Sequence, residues 1–164
     1  MRLFLTEGAA SMEAFVRHQL DGLVQKDICV EELSVSKTLK AEYKKNPPPH
    51  AIVAKKKRSR GEDVTTGDRV AYVQIIDGHR LATANVECPD FVAENAIAVD
   101  FVRIFETQVA KPFIDLFEVG LPNAHALIHD YGDQLKRAQM PAERANLQRR
   151  QKMRPIHSYF AIRE

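Results

Sequence analysis

Nine of the 24 lysines and arginines in this 164-residue chain fall within residues 36–60, as Lys37, Lys40, Lys44, Lys45, Lys55, Lys56, Lys57, Arg58 and Arg60, and Glu42 is the only acid among them. Charges of one sign packed this densely can neutralise the phosphates of a polyanion without reading its bases. The other reading is a solvated surface loop, which is what most lysine runs are. The residues that follow are acidic: 61–120 carry 11 acids against 4 bases, so the net charge of +2 conceals opposed local fields. A near-neutral total by itself points neither to nucleic acid nor to acidic substrates.

Other chemistries are poorly served. The chain has no Gly-rich phosphate loop, no Cys-x-x-Cys, no Ser between spaced glycines and no paired acids beside a strand, so an independent active site is not expected. His125 and His129 share a helix face and could begin a metal site, but no third ligand stands at a suitable spacing, and they read as surface histidines. Cys29 and Cys88 are too few for a zinc ribbon, an iron–sulfur site or a disulfide scaffold, and are expected as two buried thiols in a reducing compartment. No apolar run approaches the ~20 residues that cross a bilayer. The chain reads as soluble and intracellular, with no membrane partner and with enough apolar residues (45%) for one modest core.

The elements that must carry the block follow from periodicity. Met12, Phe15, Val16, Leu20, Leu23 and Val24 recur at helical spacing and predict an amphipathic helix over 10–26, with Ser11 as its cap. Residues 28–39 suggest a short strand leading to a turn at Ser36-Lys37-Thr38. Pro47, Pro48 and Pro49 form a stiff connector into a helix over 50–60 that Gly61 ends, with Ile52 and Val53 inward and the lysines fanned outward. Residues 69–77 (RVAYVQIID) predict a strand that turns at Asp77-Gly78. One helical turn is expected at 91–95, then a helix capped by Asp100, running through Phe117 and kinked at Pro112. Asn123 and Pro141 are each expected to begin a further helix, the second too polar to be deeply buried. The fold class is α+β, helix-dominant, with a small β element.

Four ordered motifs within 33–118 resemble the C-terminal thumb region of B-family DNA polymerases of the delta type, next to the edge of the palm. They are Leu33-Ser34-Val35-Ser36-Lys37-Thr38-Leu39 with Tyr43-Lys44; Pro48-Pro49-His50-Ala51-Ile52-Val53-Ala54-Lys55-Lys56; Gly67-Asp68-Arg69-Val70-Ala71-Tyr72-Val73; and Phe105-Glu106-Thr107-Gln108 through Lys111-Pro112. The resemblance covers roughly residues 12–118. It implies a thumb-like helical domain over 1–120, with a helical extension at 121–152 and a tail at 153–164.

What the resemblance implies about function is a grip on primer–template double-stranded DNA through its backbone. Lys37, Lys44, His50, Lys55, Lys56, Lys57 and Arg58 become candidates for DNA contacts. Tyr72 is either such a contact or a packed core tyrosine. The metal-binding aspartates of the polymerase palm have no counterpart here, so no cofactor is expected in this chain and Mg2+ is expected in a missing palm portion, its partner. Alone the chain should not polymerise, whether it is a fragment of a larger nucleotidyltransferase or the product of a split gene. The tail resembles a sliding-clamp-binding box, with Ile156 three residues before Tyr159 and Phe160, though Met153 stands where such boxes usually carry Gln. A hydrophobic tail packed back on the domain is the alternative. The rival functions are a non-enzymatic clamp-binding adaptor and a small basic nucleic-acid-binding protein, the latter lacking the interleaved aromatics of single-strand platforms.

Overall fold

The computed structural model describes residues 2–152 apart from 26–27, 44–45 and 79–80. A long helix, α1 (Arg2–Gln25), opens the chain. It starts well before the expected boundary because the residues ahead of Ser11 are mostly good helix formers, which leaves Ser11 inside the helix rather than capping it. Met12, Val16, Leu20 and Leu23 form its buried stripe, whereas Phe15 lies at the stripe's edge and is half exposed. The strand expected over 28–39 shrinks to β1 (Val35–Thr38), and the turn expected at Ser36-Lys37-Thr38 is instead the paired strand: the turn comes earlier, at 30–33, closed by the Ser34 N–H and hydroxyl on the Glu31 carbonyl. Cys29 sits before that turn and is exposed, contrary to expectation, while Cys88 is buried as expected.

Next come α2 (Pro49–Ser59), β2 (Arg69–Gln74), β3 (Val86–Glu87) and α3 (Pro89–Glu94). The strands form one antiparallel sheet in the order β1-β2-β3, with Val35 opposite Tyr72 and Val73 opposite Glu87. Both faces of β2 are covered, which explains its near-continuous apolar sequence. Val70 and Tyr72 pack with Leu39, Val53, Ala54, Val86 and Cys88 under α2, while Val73 and Ile75 face a larger helical cluster.

That larger cluster is built by α1, α3, α4 (Phe101–Ile104), a wide-turned π segment (Phe105–Val109), α5 (Ala110–Phe117) and α6 (Ala124–Lys152). Asp100 caps α4 as expected, its carboxylate accepting from the Arg103 N–H at 2.8 Å. The disturbance expected at Pro112 lies one turn upstream: a proline ring crowds the carbonyl four residues before it, here that of Gln108, and the widened π turn contains that carbonyl.

Pro141 does not begin a separate helix, because α6 runs through it without a break. The first half of α6 buries Leu127, Ile128, Tyr131 and Leu135, and Gln139 at its middle locks onto the start of α4. There its Nε2 donates to Asp100 (2.8 Å) and its Oε1 accepts from the Val102 N–H (3.1 Å). Beyond Pro141 the helix is polar and mostly exposed. The architecture is α+β with helix dominant. Among the described residues, no helix is long and apolar enough to cross a membrane.

Candidate nucleic-acid interface

The prolines set the basic helix. Pro48 is extended (φ −69°, ψ 164°) and Pro49 occupies the first turn, where its missing N–H costs no hydrogen bond. Lys56, Lys57 and Arg58 fall in the last turn, where cations meet the negative end of the helix dipole, and Gly61 follows at φ 87°, a conformation that favours glycine. Val53 and Ala54 face the sheet and are fully buried, so the register of α2 against β2 and β3 decides which cations point away.

The acidic segment after α2 takes back much of the block. Lys57 donates to Glu62 at 2.6 Å, which holds its ammonium above the usual value. Lys56 donates to the Val86 carbonyl at 2.7 Å and lies 3.4 Å from Glu87. Arg60 donates to Glu87 at 2.9 Å, with its guanidinium 4.0 Å from the centre of the Phe91 ring. Glu87 is itself buried and also accepts the Cys88 N–H at 2.9 Å. Burial pushes its carboxyl up, but the hydrogen bonds from Arg60 and the Cys88 N–H and the charge of Lys56 outweigh burial and hold it below the usual value.

Among the described residues of the block, four cations escape this neutralisation. Lys37 on β1, Lys40 just after it and Lys55 on α2 are exposed and have no side-chain partner among the described residues. Arg58 is exposed too, and its Nε donates to the Val64 carbonyl at 2.7 Å, a contact that leaves its charge uncompensated. Lys44, together with the tail residues Ile156, Tyr159 and Phe160, lies outside the described residues.

Two further sequence candidates sit inside the fold. Tyr72 is 8% exposed, and burial pushes its phenol up. His50 is 7% exposed; its Nε2 meets the Tyr43 hydroxyl at 2.8 Å, and that hydroxyl accepts the Lys40 N–H at 2.9 Å. Burial first, then the charges of Lys37 and Lys40, push the His50 imidazole below its usual value. His50 thus ties the Lys40–Tyr43 loop to the start of α2. Sequence reasoning missed Glu87; a single carboxylate between Val86 and Cys88 is the signal that could have found it. His125 and His129 are exposed beside Glu118, Asp130 and Asp133 at 3.8–3.9 Å, and among the described residues no group of three or more His, Cys, Asp or Glu could hold a metal ion.

Residues 4–119, which hold this helix-on-sheet unit, α3, α4, the π segment, α5 and most of α1 but not α6, match the family model described as DNA polymerase family B. The chain belongs to DNA polymerase family B. This family B segment is 38% identical over 117 residues to the DNA polymerase of Paramecium bursaria Chlorella virus NY2A, across 65% of the chain and 13% of that polymerase. To the DNA polymerase delta catalytic subunit of Schizosaccharomyces pombe it is 29% identical over 146 residues, across 86% of the chain and 13% of that subunit. The solved family B DNA polymerase of the archaeon Pyrobaculum calidifontis matches with a TM-score of 0.57 and 26% identity, over 69% of the chain and 15% of that structure. The chain thus spans only a small part of the family B polymerases it matches.

Proposed function

We propose that this family B segment is the thumb, which holds the newly made primer–template duplex by its phosphates while a palm outside this chain performs nucleotidyl transfer. The observation that carries the reading is the selective neutralisation of the basic block. Lys56, Lys57 and Arg60 are tied to carboxylates of the same segment, and Lys37, Lys40, Lys55 and Arg58 keep their charge at the surface. Cations on short, rigid elements suit contacts that must be equally good at every sequence position as the duplex slides. His50, Tyr43 and Tyr72 serve this grip from inside, fixing the loop and strand on which the lysines stand. In this reading Mg2+ belongs to the palm, since the resemblance places the metal-binding aspartates there. Ile156, Tyr159 and Phe160 give the tail the spacing of a clamp-binding plug, which would keep the polymerase on DNA between catalytic cycles.

The test is equilibrium binding of the full chain to a primer–template duplex and to single strands across a salt series. Duplex preference is expected. Changing Lys37, Lys40 and Lys55 together to Gln should flatten the plot of log affinity against log salt by roughly 2.7, at about 0.9 per released phosphate contact. Lys57→Gln should change it little, since Glu62 already neutralises that charge. Equal affinity for single strands, or an unchanged slope in the triple variant, would refute the thumb assignment.

A further inference from the structure

Ser59 is the one hydroxyl-bearing residue in the run Lys55-Lys56-Lys57-Arg58-Ser59-Arg60. It is exposed, it is the last residue of α2, and neither helix nor strand follows it before Arg69. Its Oγ donates to the Lys56 carbonyl at 2.7 Å, a bond at the very end of the helix. Opening that last turn therefore presents the hydroxyl to another protein without disturbing Val53 and Ala54, which anchor α2 to the sheet one turn earlier. Lys55 stands four residues before Ser59 and so shares its helix face, where the Cβ atoms of such a pair lie about 5–6 Å apart. Arg58 and Arg60 flank it in the chain.

The fold silences a cation by setting an anion against it: Glu62 does so for Lys57, and Glu87 for Lys56 and Arg60. Lys55 and Arg58 are missed by these carboxylates, and both lie within one turn of Ser59. A phosphoryl group there brings three acceptor oxygens and about −1.5 to −2 charges at pH 7, enough to occupy both. An anion at the negative end of the α2 dipole is disfavoured by itself, and the surrounding bases offset that cost. We infer that Ser59 is a phosphorylation site for a kinase that selects basic residues before its acceptor, and that the phosphoryl group takes Lys55 and Arg58 in place of a DNA phosphate and loosens the duplex. In the transfer the Ser59 Oγ forms a bond to the γ-phosphorus of ATP and the bond from that phosphorus to the β,γ-bridging oxygen breaks. The hydroxyl proton passes to a carboxylate base of the kinase and ADP leaves. The inference rests on the thumb reading and adds to it a means of release.

The test has two arms, both on the full chain. In the first, wild type and Ser59→Ala are incubated with γ-labelled ATP and a serine/threonine kinase that selects basic residues before its acceptor, and the labelled position is read by peptide mass spectrometry. Label on Ser59 that is lost in Ser59→Ala is expected; no label, or label only elsewhere, overturns the inference. In the second, chain carrying genetically encoded phosphoserine at position 59 is compared with unmodified chain, Ser59→Ala and Lys55→Gln in duplex binding across a salt series. Neutralising two cations at about 0.9 each should lower the salt slope by roughly 1.8. Ser59→Ala loses the same hydroxyl bond without gaining charge and should keep the wild-type slope. In the Lys55→Gln background the phosphoryl group should lower the slope by only about 0.9, because one of its two partners is gone. Circular dichroism of each form checks folding, and a phosphorylated chain that has lost its helix signal overturns the inference. If the phosphorylated chain keeps the unmodified slope while Lys37, Lys40 and Lys55 changed together to Gln lower it, Ser59 does not control the grip and the thumb reading stands. If unmodified chain shows no duplex binding, both readings fall.

Discussion

Removing the Glu87 charge by Glu87→Gln tests how the fold chooses which cations to expose. The carboxylate is 6% exposed and faces two cations and one backbone N–H, so its loss leaves Arg60 and Lys56 beside a neutral amide. Deleting one partner of a fully buried ion pair costs about 3–5 kcal/mol. Here the cations keep 25% and 30% of their side-chain surface and can turn toward water, and the Gln oxygen can still accept from the Cys88 N–H. A loss of about 2 kcal/mol is therefore expected at neutral pH, or a fall in Tm of roughly 4–8 °C for a chain of this size. The pH dependence carries the sign. A carboxyl held below 4.5 in the folded state stabilises it above that value, and the advantage disappears as pH falls through the lowered folded value. The stability gap between wild type and Glu87→Gln, measured by urea unfolding, should shrink from pH 6 to pH 3. The same variant should steepen the salt dependence of duplex binding, because Lys56 and Arg60 are released to meet phosphate. A gap that stays constant down to pH 3, or no loss of stability at pH 7, would refute the claim that Glu87 is the internal counterion of the block.

Further outcomes follow from other contacts. His50 is held below its ordinary value of 6.5, so the unfolded chain binds the extra proton and folded stability drops as pH falls from about 6.5 toward the lower folded value; His50→Gln should flatten that part of the stability–pH curve. Tyr131→Phe removes a 2.6 Å hydrogen bond to Asp21 that ties α6 to α1 and should cost about 1 kcal/mol in urea unfolding, with no change in duplex affinity. Ile156→Ala combined with Phe160→Ala in the full chain should abolish binding to a sliding clamp in calorimetry while leaving duplex binding intact; clamp affinity equal to wild type would remove the tail assignment.

The elements with strong signals were legible. The α1 stripe, the proline-led start of α2, the β2 run and the Asp100 cap all follow from periodicity or local stereochemistry, and the ordered motifs place the chain in its family. What could not be read was set by contacts distant in sequence. Lys56 and Lys57 look as exposed as Lys55 in the sequence, and only the return of Glu62 and Glu87 separates them. The resemblance offers His50 for contact and leaves Tyr72 as either a contact or a core tyrosine, and the packing of α2 on the sheet buries both. The continuity of α6 through Pro141 was hidden because a proline signals a helix start as readily as an interruption, and the Gln139 bonds to Asp100 and Val102 that hold this stretch against α4 span 37–39 residues.

The most direct test of the central claim is primer extension by the whole polymerase that contains this segment, under single-turnover conditions with a trap for dissociated enzyme. Lys37→Gln, Lys40→Gln and Lys55→Gln together should shorten the products made per binding event several-fold while the rate of a single nucleotide addition stays at the wild-type value. Products of wild-type length, or a loss confined to the single-addition rate, would contradict the account of this segment as the part that holds the duplex and leaves the chemistry to the palm.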